Sequence, residues 1–171
     1  MPSRQNDQEQ PVDEQSMDEQ SVDEPSIDAV ALLKEDHQRV RDLFAQYEGT
    51  GNAEAKWTLA EDIFVELETH AQLEETIFYP AVNDVAELGQ ELVKESLHDH
   101  ALVKQRIQAL RQMGPHSQEF DATFRELMHD VEHHVAEEEA EMFPLAEEEL
   151  AEDLTELKDE MQELKADLQG S

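Results

Sequence analysis

The chain has 171 residues and sets 44 Asp plus Glu against 12 Lys plus Arg, a formal net charge of -32 at pH 7 with histidine neutral. A surface of that sign offers no basic face for phosphates, so nucleic-acid binding and docking on anionic membranes are all but excluded. With no Cys, thiolate catalysis, disulfides and cysteine-ligated metals are impossible. The absence of a basic, then apolar leader and of any apolar run near 18 residues points to a cytoplasmic protein.

Residues 1–28 hold 9 acidic side chains and one basic one, Arg4. A five-residue repeat runs through them, PVDEQ from Pro11, SMDEQ from Ser16, SVDEP from Ser21 and SIDAV from Ser26. One apolar residue in five buries no face of a helix or strand, so this segment is expected to be a disordered acidic tail.

From residue 29 to 146 apolar residues recur at spacings of three and four, broken only by a few Gly and Pro. Val30, Leu33, Val40, Phe44 and Tyr47 mark a first helix, closed by residues 49–52. Ile63, Leu67, Leu73, Ile77 and Ala81 mark a second, with Pro80 at its end. Val93, Leu97, Val103, Ile107 and Leu110 mark a third, closed by Gly114 and Pro115; Phe120, Phe124, Leu127, Val131, Val135 and Leu145 mark a fourth, with Pro144 at its end. No alternating strand pattern competes. The expected fold is all-α, an up-down-up-down four-helix bundle.

Continuing each stripe at its own spacing brings polar residues onto the inner face. The first helix contributes His37, the second His70 and Glu74, the third His100, the fourth His134 and Glu138. Residues i and i+4 share a helix face, so each His-x-x-x-Glu pair presents both groups together. The pattern is duplicated: Asp36-His37-x-x-Val40-Arg41 returns as Asp99-His100-x-x-Val103-Lys104, and His70-x-x-x-Glu74-Glu75 before Pro80 returns as His134-x-x-x-Glu138-Glu139 before Pro144. Two helical hairpins related by a pseudo-twofold axis would bring two equivalent half-sites together.

A lone inward histidine is usually a hydrogen-bonded core residue. Six inward polar groups are different, because each costs a few kcal/mol when buried without partners and an unpaired carboxylate costs more. No Lys or Arg shares the stripes, whereas a pair of bound cations would satisfy all six. Imidazole and carboxylate without thiolate suit iron, manganese or zinc and disfavour copper(I). Glu74 and Glu138 are the expected bridges, with His37 and His70, and His100 and His134, as terminal ligands. Open positions on a redox metal would take dioxygen, nitric oxide or peroxide.

This order of His, His-x-x-x-Glu, His, His-x-x-x-Glu, together with Phe78-Tyr79-Pro80 and Met142-Phe143-Pro144, resembles the hemerythrin-like HHE cation-binding domains over about residues 30–146. The resemblance implies a non-haem di-iron centre in a four-helix bundle, with oxygen binding, nitric oxide or redox sensing, peroxide handling or iron supply among its roles. Oxygen-carrying hemerythrins have a fifth His on the third helix, where this chain has Ser96 and Lys104 four residues to either side of His100. They also pair their last His with Asp five residues on, whereas here Glu138 follows His134 at four. Both departures point away from reversible oxygen carriage and toward an under-ligated, more reactive or exchangeable iron site.

Of the remaining histidines, His98 falls about 200° from His100 and His116 follows Gly114-Pro115 in a loop. His129 and His133 lie off the apolar stripe. None of these is expected in the centre. Glu75 and Glu139 are placed to accept hydrogen bonds from the ligand imidazoles.

Residues 147–171 hold 10 acids and 2 bases, and Leu150, Leu154, Leu157, Met161, Leu164 and Leu168 form a heptad seam. It reads as an additional helix, laid on the same bundle or used for a homodimer. The leading expectation is a di-iron protein that binds or reacts with a small oxidant in sensing, stress protection or iron handling. The alternatives are a peroxide-consuming di-iron enzyme and an acidic interaction protein with a zinc site. The acidic coat suits a high-salt cytoplasm, where screening relieves its self-repulsion.

Overall fold

The structure, a computed structural model, describes residues 27–170. The repeat-containing acidic tail expected over residues 1–28 lies almost wholly outside them.

Helix α1, Ala29–Glu48, starts where the Asp28 side chain accepts the Ala31 N–H at 2.9 Å. That contact satisfies one of the four orphan donors of the first turn. Helix α2 starts as Ala53–Leu73, its first N–H groups captured by the Asn52 side chain. It then passes through a π-helical turn, Glu74–Phe78, and resumes α-helical geometry over Tyr79–Asn83. Helix α3, Glu87–Met113, ends at Gly114, whose φ of 73° lies in the left-handed region that glycine enters without a Cβ penalty. Helix α4 repeats the form of α2: Phe120–Glu137, a π turn Glu138–Met142, then Phe143–Glu149. Helix α5 is Leu154–Gln169.

The two π turns correct two expectations at once. Pro80 and Pro144 do not end their helices, which run on to Asn83 and Glu149. A proline inside an α-helix removes an i→i−4 bond and clashes with that carbonyl. Here the backbone has already widened: the Tyr79 N–H reaches back five residues to the Glu74 carbonyl, and the Phe143 N–H to that of Glu138. The inserted residue also advances the buried face. Ile77, Ala81 and Leu145, expected inward, are only half-buried, while Phe78, Tyr79, Val82, Met142, Phe143 and Ala146 fill the core. Strict 3.6-residue counting fails beyond Glu74 and Glu138 because one turn of each helix holds an extra residue.

On α3 the inner stripe runs through Val93, Ser96, His100, Ile107 and Leu110, and Leu97 is exposed. Ser96 takes the inward position one turn before His100.

Helix α1 pairs with α2 and α3 with α4, and α5 lies along α1 with a smaller contact on α2. The core divides into two apolar clusters. One holds Val30, Leu33, Leu73, Phe78, Val93, Met142, Phe143 and Met161. The other holds Val40, Phe44, Tyr47, Phe64, Leu67, Ile107, Phe124 and Val131. Each fully buried large side chain contributes about 1.5–3 kcal/mol of transfer free energy. In each of α1 to α4 the inward polar residues lie where the helix passes from one cluster to the other, so they form one layer between two apolar ones. The seam of α5 packs on this chain's own bundle, with Leu154 and Met161 buried and Leu157 and Leu164 against the first cluster.

Candidate metal centre

All six expected residues meet in that layer, and each is buried. His37 and His70 bring their Nε2 atoms to 3.1 Å of one another, as do His100 and His134. Glu74 Oε1 lies 3.0 Å from His70 Nε2 and 3.4 Å from His100 Nε2. Glu138 spans the same gap in the opposite sense, with Oε1 3.2 Å from His37 Nε2 and Oε2 3.4 Å from His134 Nε2. Each carboxylate therefore touches an imidazole of both hairpins. Two groupings of ligand atoms, His37, His70, Glu74 and Glu138, and Glu74, His100 and His134, are tight enough for one ion apiece.

The rotation of every imidazole is set from outside. His37 Nδ1 lies 3.0 Å from Glu139, His70 Nδ1 3.1 Å from Asp36, His100 Nδ1 2.9 Å from Glu75 and His134 Nδ1 3.4 Å from Asp99. A carboxylate only accepts, so each Nδ1 must carry the proton and Nε2 turns toward the centre. Glu139 and Glu75 were expected in this role. They are held in turn by Arg41 at 3.4 Å and Lys104 at 3.0 Å, the paired bases of the duplicated motif. Asp36 and Asp99 were missed, although their signal, an Asp before the first His of each repeat, stands in the sequence. The pairing crosses helices: Asp36 serves the His of α2 and Asp99 that of α4, a relation that no spacing within one helix reveals.

A further residue went unread. The Tyr79 hydroxyl donates to Glu138 Oε2 at 2.7 Å and lies 3.1 Å from His100 Nε2. The π turn rotates it inward. Its counterpart, Phe143, stacks on the His37 ring with centroids 5.6 Å apart, so the two half-sites are not chemically alike.

Charge within the layer is strongly shifted. Burial raises Glu74, but His70 and His100 beside it overcome this and hold its carboxyl well below the usual range. Burial depresses His134, yet Glu138 pushes it up to about 9, and Glu74 with Asp36 likewise raises His70. Without a cation, protons on His70 and His134 supply positive charge beside the two carboxylates. The compensation is incomplete: both Glu74 oxygens and Glu138 Oε1 lack a donor in hydrogen-bonding geometry, at 0 % and 2 % exposure.

Against the four imidazoles lies a cavity of about 40 Å³, walled by Val40, Leu67, Val103, Ile107, Val131 and Val135. That is room for a molecule of two or three atoms, and the walls offer it almost no hydrogen bonds. The other histidines stay outside. His98, His129 and His133 are exposed, and His116 pairs with Glu54 at the surface.

A helical bundle with a buried, duplicated layer of four imidazoles and two carboxylates defines a class of cation-binding protein. Residues 28–146 match the family described as the hemerythrin HHE cation binding domain, and the chain belongs to that family. It is similar to an uncharacterised hemerythrin-like protein of Schizosaccharomyces pombe, 25% identical over 120 residues that cover 70% of this chain and 59% of the relative. It is also similar to a DNA nickase of Nostoc, 25% identical over 125 residues that cover 73% of this chain and 35% of the relative. The chain thus spans about a third to three fifths of the length of these curated relatives. A crystal structure of a hemerythrin HHE cation binding domain-containing protein from Mycobacterium kansasii shares the fold, with a TM-score of 0.74, 22% identity, and coverage of 84% of this chain and 88% of that one. Among the described residues no helix is long and apolar enough to cross a membrane.

Proposed function

We propose that this protein holds two iron ions in a non-haem centre and uses it to bind or react with a small oxidant, dioxygen, nitric oxide or peroxide. The observation that carries the reading is the pair Glu74 and Glu138, buried carboxylates with three donorless oxygens between four imidazole Nε2 atoms. A carboxylate left so costs several kcal/mol unless a cation satisfies it. The donor set, nitrogen and oxygen without sulfur, fits iron and also admits manganese or zinc.

His37 and His70 would hold one ion, His100 and His134 the other, with Glu74 and Glu138 shared. Bound there, a pair of redox metals would supply electrons to a small ligand. The protein's own part is positional. Asp36, Glu75, Asp99 and Glu139 fix the imidazoles, the small cavity limits access to molecules of a few atoms, and Tyr79 donates a hydrogen bond to Glu138 within the polar layer. A role in sensing, stress protection or iron handling within the cytoplasm follows from an oxidant-responsive centre. The acidic coat gives no support to a nucleic-acid substrate, and nicking DNA stays with the longer Nostoc relative.

Metal analysis of protein purified without an affinity tag tests the reading. Two ions per chain are expected, and Glu74→Ala with Glu138→Ala should abolish loading. Fewer than about one metal per chain would sink the dinuclear centre, and zinc alone would sink redox chemistry. Visible spectra taken anaerobically, in air and with nitric oxide should differ.

A further inference from the structure

The duplicated motif predicts equal half-sites, but only one of them is covered. Helix α5 has no counterpart after the first hairpin, and it lies on α1 and α2. From it Lys165 reaches inward and places Nζ 2.8 Å from Asp36 Oδ1. The other oxygen of that carboxylate accepts from His70 Nδ1 at 3.1 Å, and Arg39 approaches the same Oδ1 at 3.2 Å. Asp36 is 3 % exposed, and the Lys165 stem is largely enclosed with it. The base of α5 is secured by Leu154 and Met161, both buried in the first apolar cluster.

The matching carboxylate on the other side is differently placed. Asp99 is 23 % exposed and stands 3.4 Å from His134 Nδ1. It lines a broad open groove with Glu91, Lys94, Glu95, His98 and Glu137, and among the described residues no Lys or Arg is paired with it. One imidazole is thus clamped through two consecutive short contacts to a packed helix, and its twin leans on a carboxylate at the edge of an open groove.

We propose that Lys165 is a positioning residue and α5 a one-sided strap, so that the half-site of His37 and His70 retains its ion while that of His100 and His134 exchanges its ion first. This rests on the reading of the layer as a two-cation centre. A partner held rigidly behind a ligand imidazole keeps Nε2 aimed when the ion leaves for an instant, which favours recapture. A partner free to turn with solvent lets the ring rotate away.

The full chain, loaded with two Co(II) ions and challenged with excess EDTA, should lose them in two phases followed by visible absorbance. Lys165→Met keeps the aliphatic stem and its packing. It should accelerate the slow phase several-fold, up to about the tenfold expected when a partner directly behind a metal ligand is lost, and leave the fast phase alone. Lys165→Arg should restore the slow phase, and Lys158→Met, on the same helix, should change neither. His134→Ala should remove the fast phase only. A single phase in the unaltered chain, a slow phase indifferent to Lys165→Met, or loss of the slow phase in His134→Ala would each overturn the strap. Failure to take up two Co(II) ions at all would instead overturn the two-cation reading.

Discussion

Tyr79 and Phe143 occupy the same place in the two repeats, one residue before the proline that follows each π turn, yet only Tyr79 donates a hydrogen bond, to Glu138 at 2.7 Å. Tyr79→Phe therefore copies the other repeat and should fold. Deleting a donor to a buried carboxylate should cost the cation-free protein about 1.5–3 kcal/mol, read from denaturant unfolding. Metal content per chain should not change. A fall to one ion would make the hydroxyl a required ligand.

Cation uptake should release protons. His134 is pushed up to about 9, so at pH 7 it holds a proton that a metal must displace. In weakly buffered solution, loading at pH 7 should acidify the medium, and loading at pH 10 should do so less. The stability of the cation-free fold falls over the same range. A raised histidine contributes stability that is complete below its ordinary value of 6.5 and lost as pH climbs through about 9. Calorimetric titration in buffers of different ionisation enthalpy would measure the release, and none at pH 7 would contradict this account.

Acid should loosen the opposite end of the bundle. Asp121 accepts from Lys56 at 2.9 Å and Tyr47 at 2.7 Å, which hold its carboxyl below its ordinary value of 3.8. A depressed carboxylate contributes stability above that ordinary value and loses it as pH falls through the lowered one. The side chain is 43 % exposed, so solvent screening keeps the effect near or below about 1 kcal/mol. Asp121→Asn should be less stable than the unaltered protein at pH 7, with the gap closing toward pH 2 in chemical denaturation.

Gly89 sits in the first turn of α3, where an added Cβ would stand 2.2 Å from the Val82 carbonyl oxygen at the end of α2. That neighbour is backbone and cannot swing aside. Gly89→Ala should cost about 1–3 kcal/mol, lowering Tm by roughly 2–4 °C for each kcal/mol. Gly51→Ala, where an added Cβ meets nothing within 4 Å, is the control and should be close to neutral.

The net charge of -32 should make the melting temperature climb with KCl. Twelve bases cannot neutralise 44 acids, and the mutual repulsion of the acids weakens as the screening length falls from roughly 10 Å at 0.1 M to 3 Å at 1 M salt. A flat response from dilute buffer to molar KCl would show that the coat is not self-repelling.

Periodicity alone carried the sequence to four helices and to His37, His70, Glu74, His100, His134 and Glu138, because i and i+4 positions share a face whatever lies opposite. It carried no further than Glu74 and Glu138 along α2 and α4, since an extra residue in a π turn leaves no mark on composition but rotates everything after it. Ile77 therefore yielded its place to Phe78, and Tyr79 entered the centre unannounced. Glu75 and Glu139 were foreseeable from their position beside the ligands. Asp36 and Asp99, which reach across to other helices, were not. The heptad of α5 announced a buried face but not what would cover it. The sequence by itself determined a duplicated, inward-facing set of imidazoles and carboxylates. Only the tertiary structure decided that the two copies differ, because Tyr79 and Lys165 each approach one of them through packing between helices, and packing between helices is not periodic in the chain.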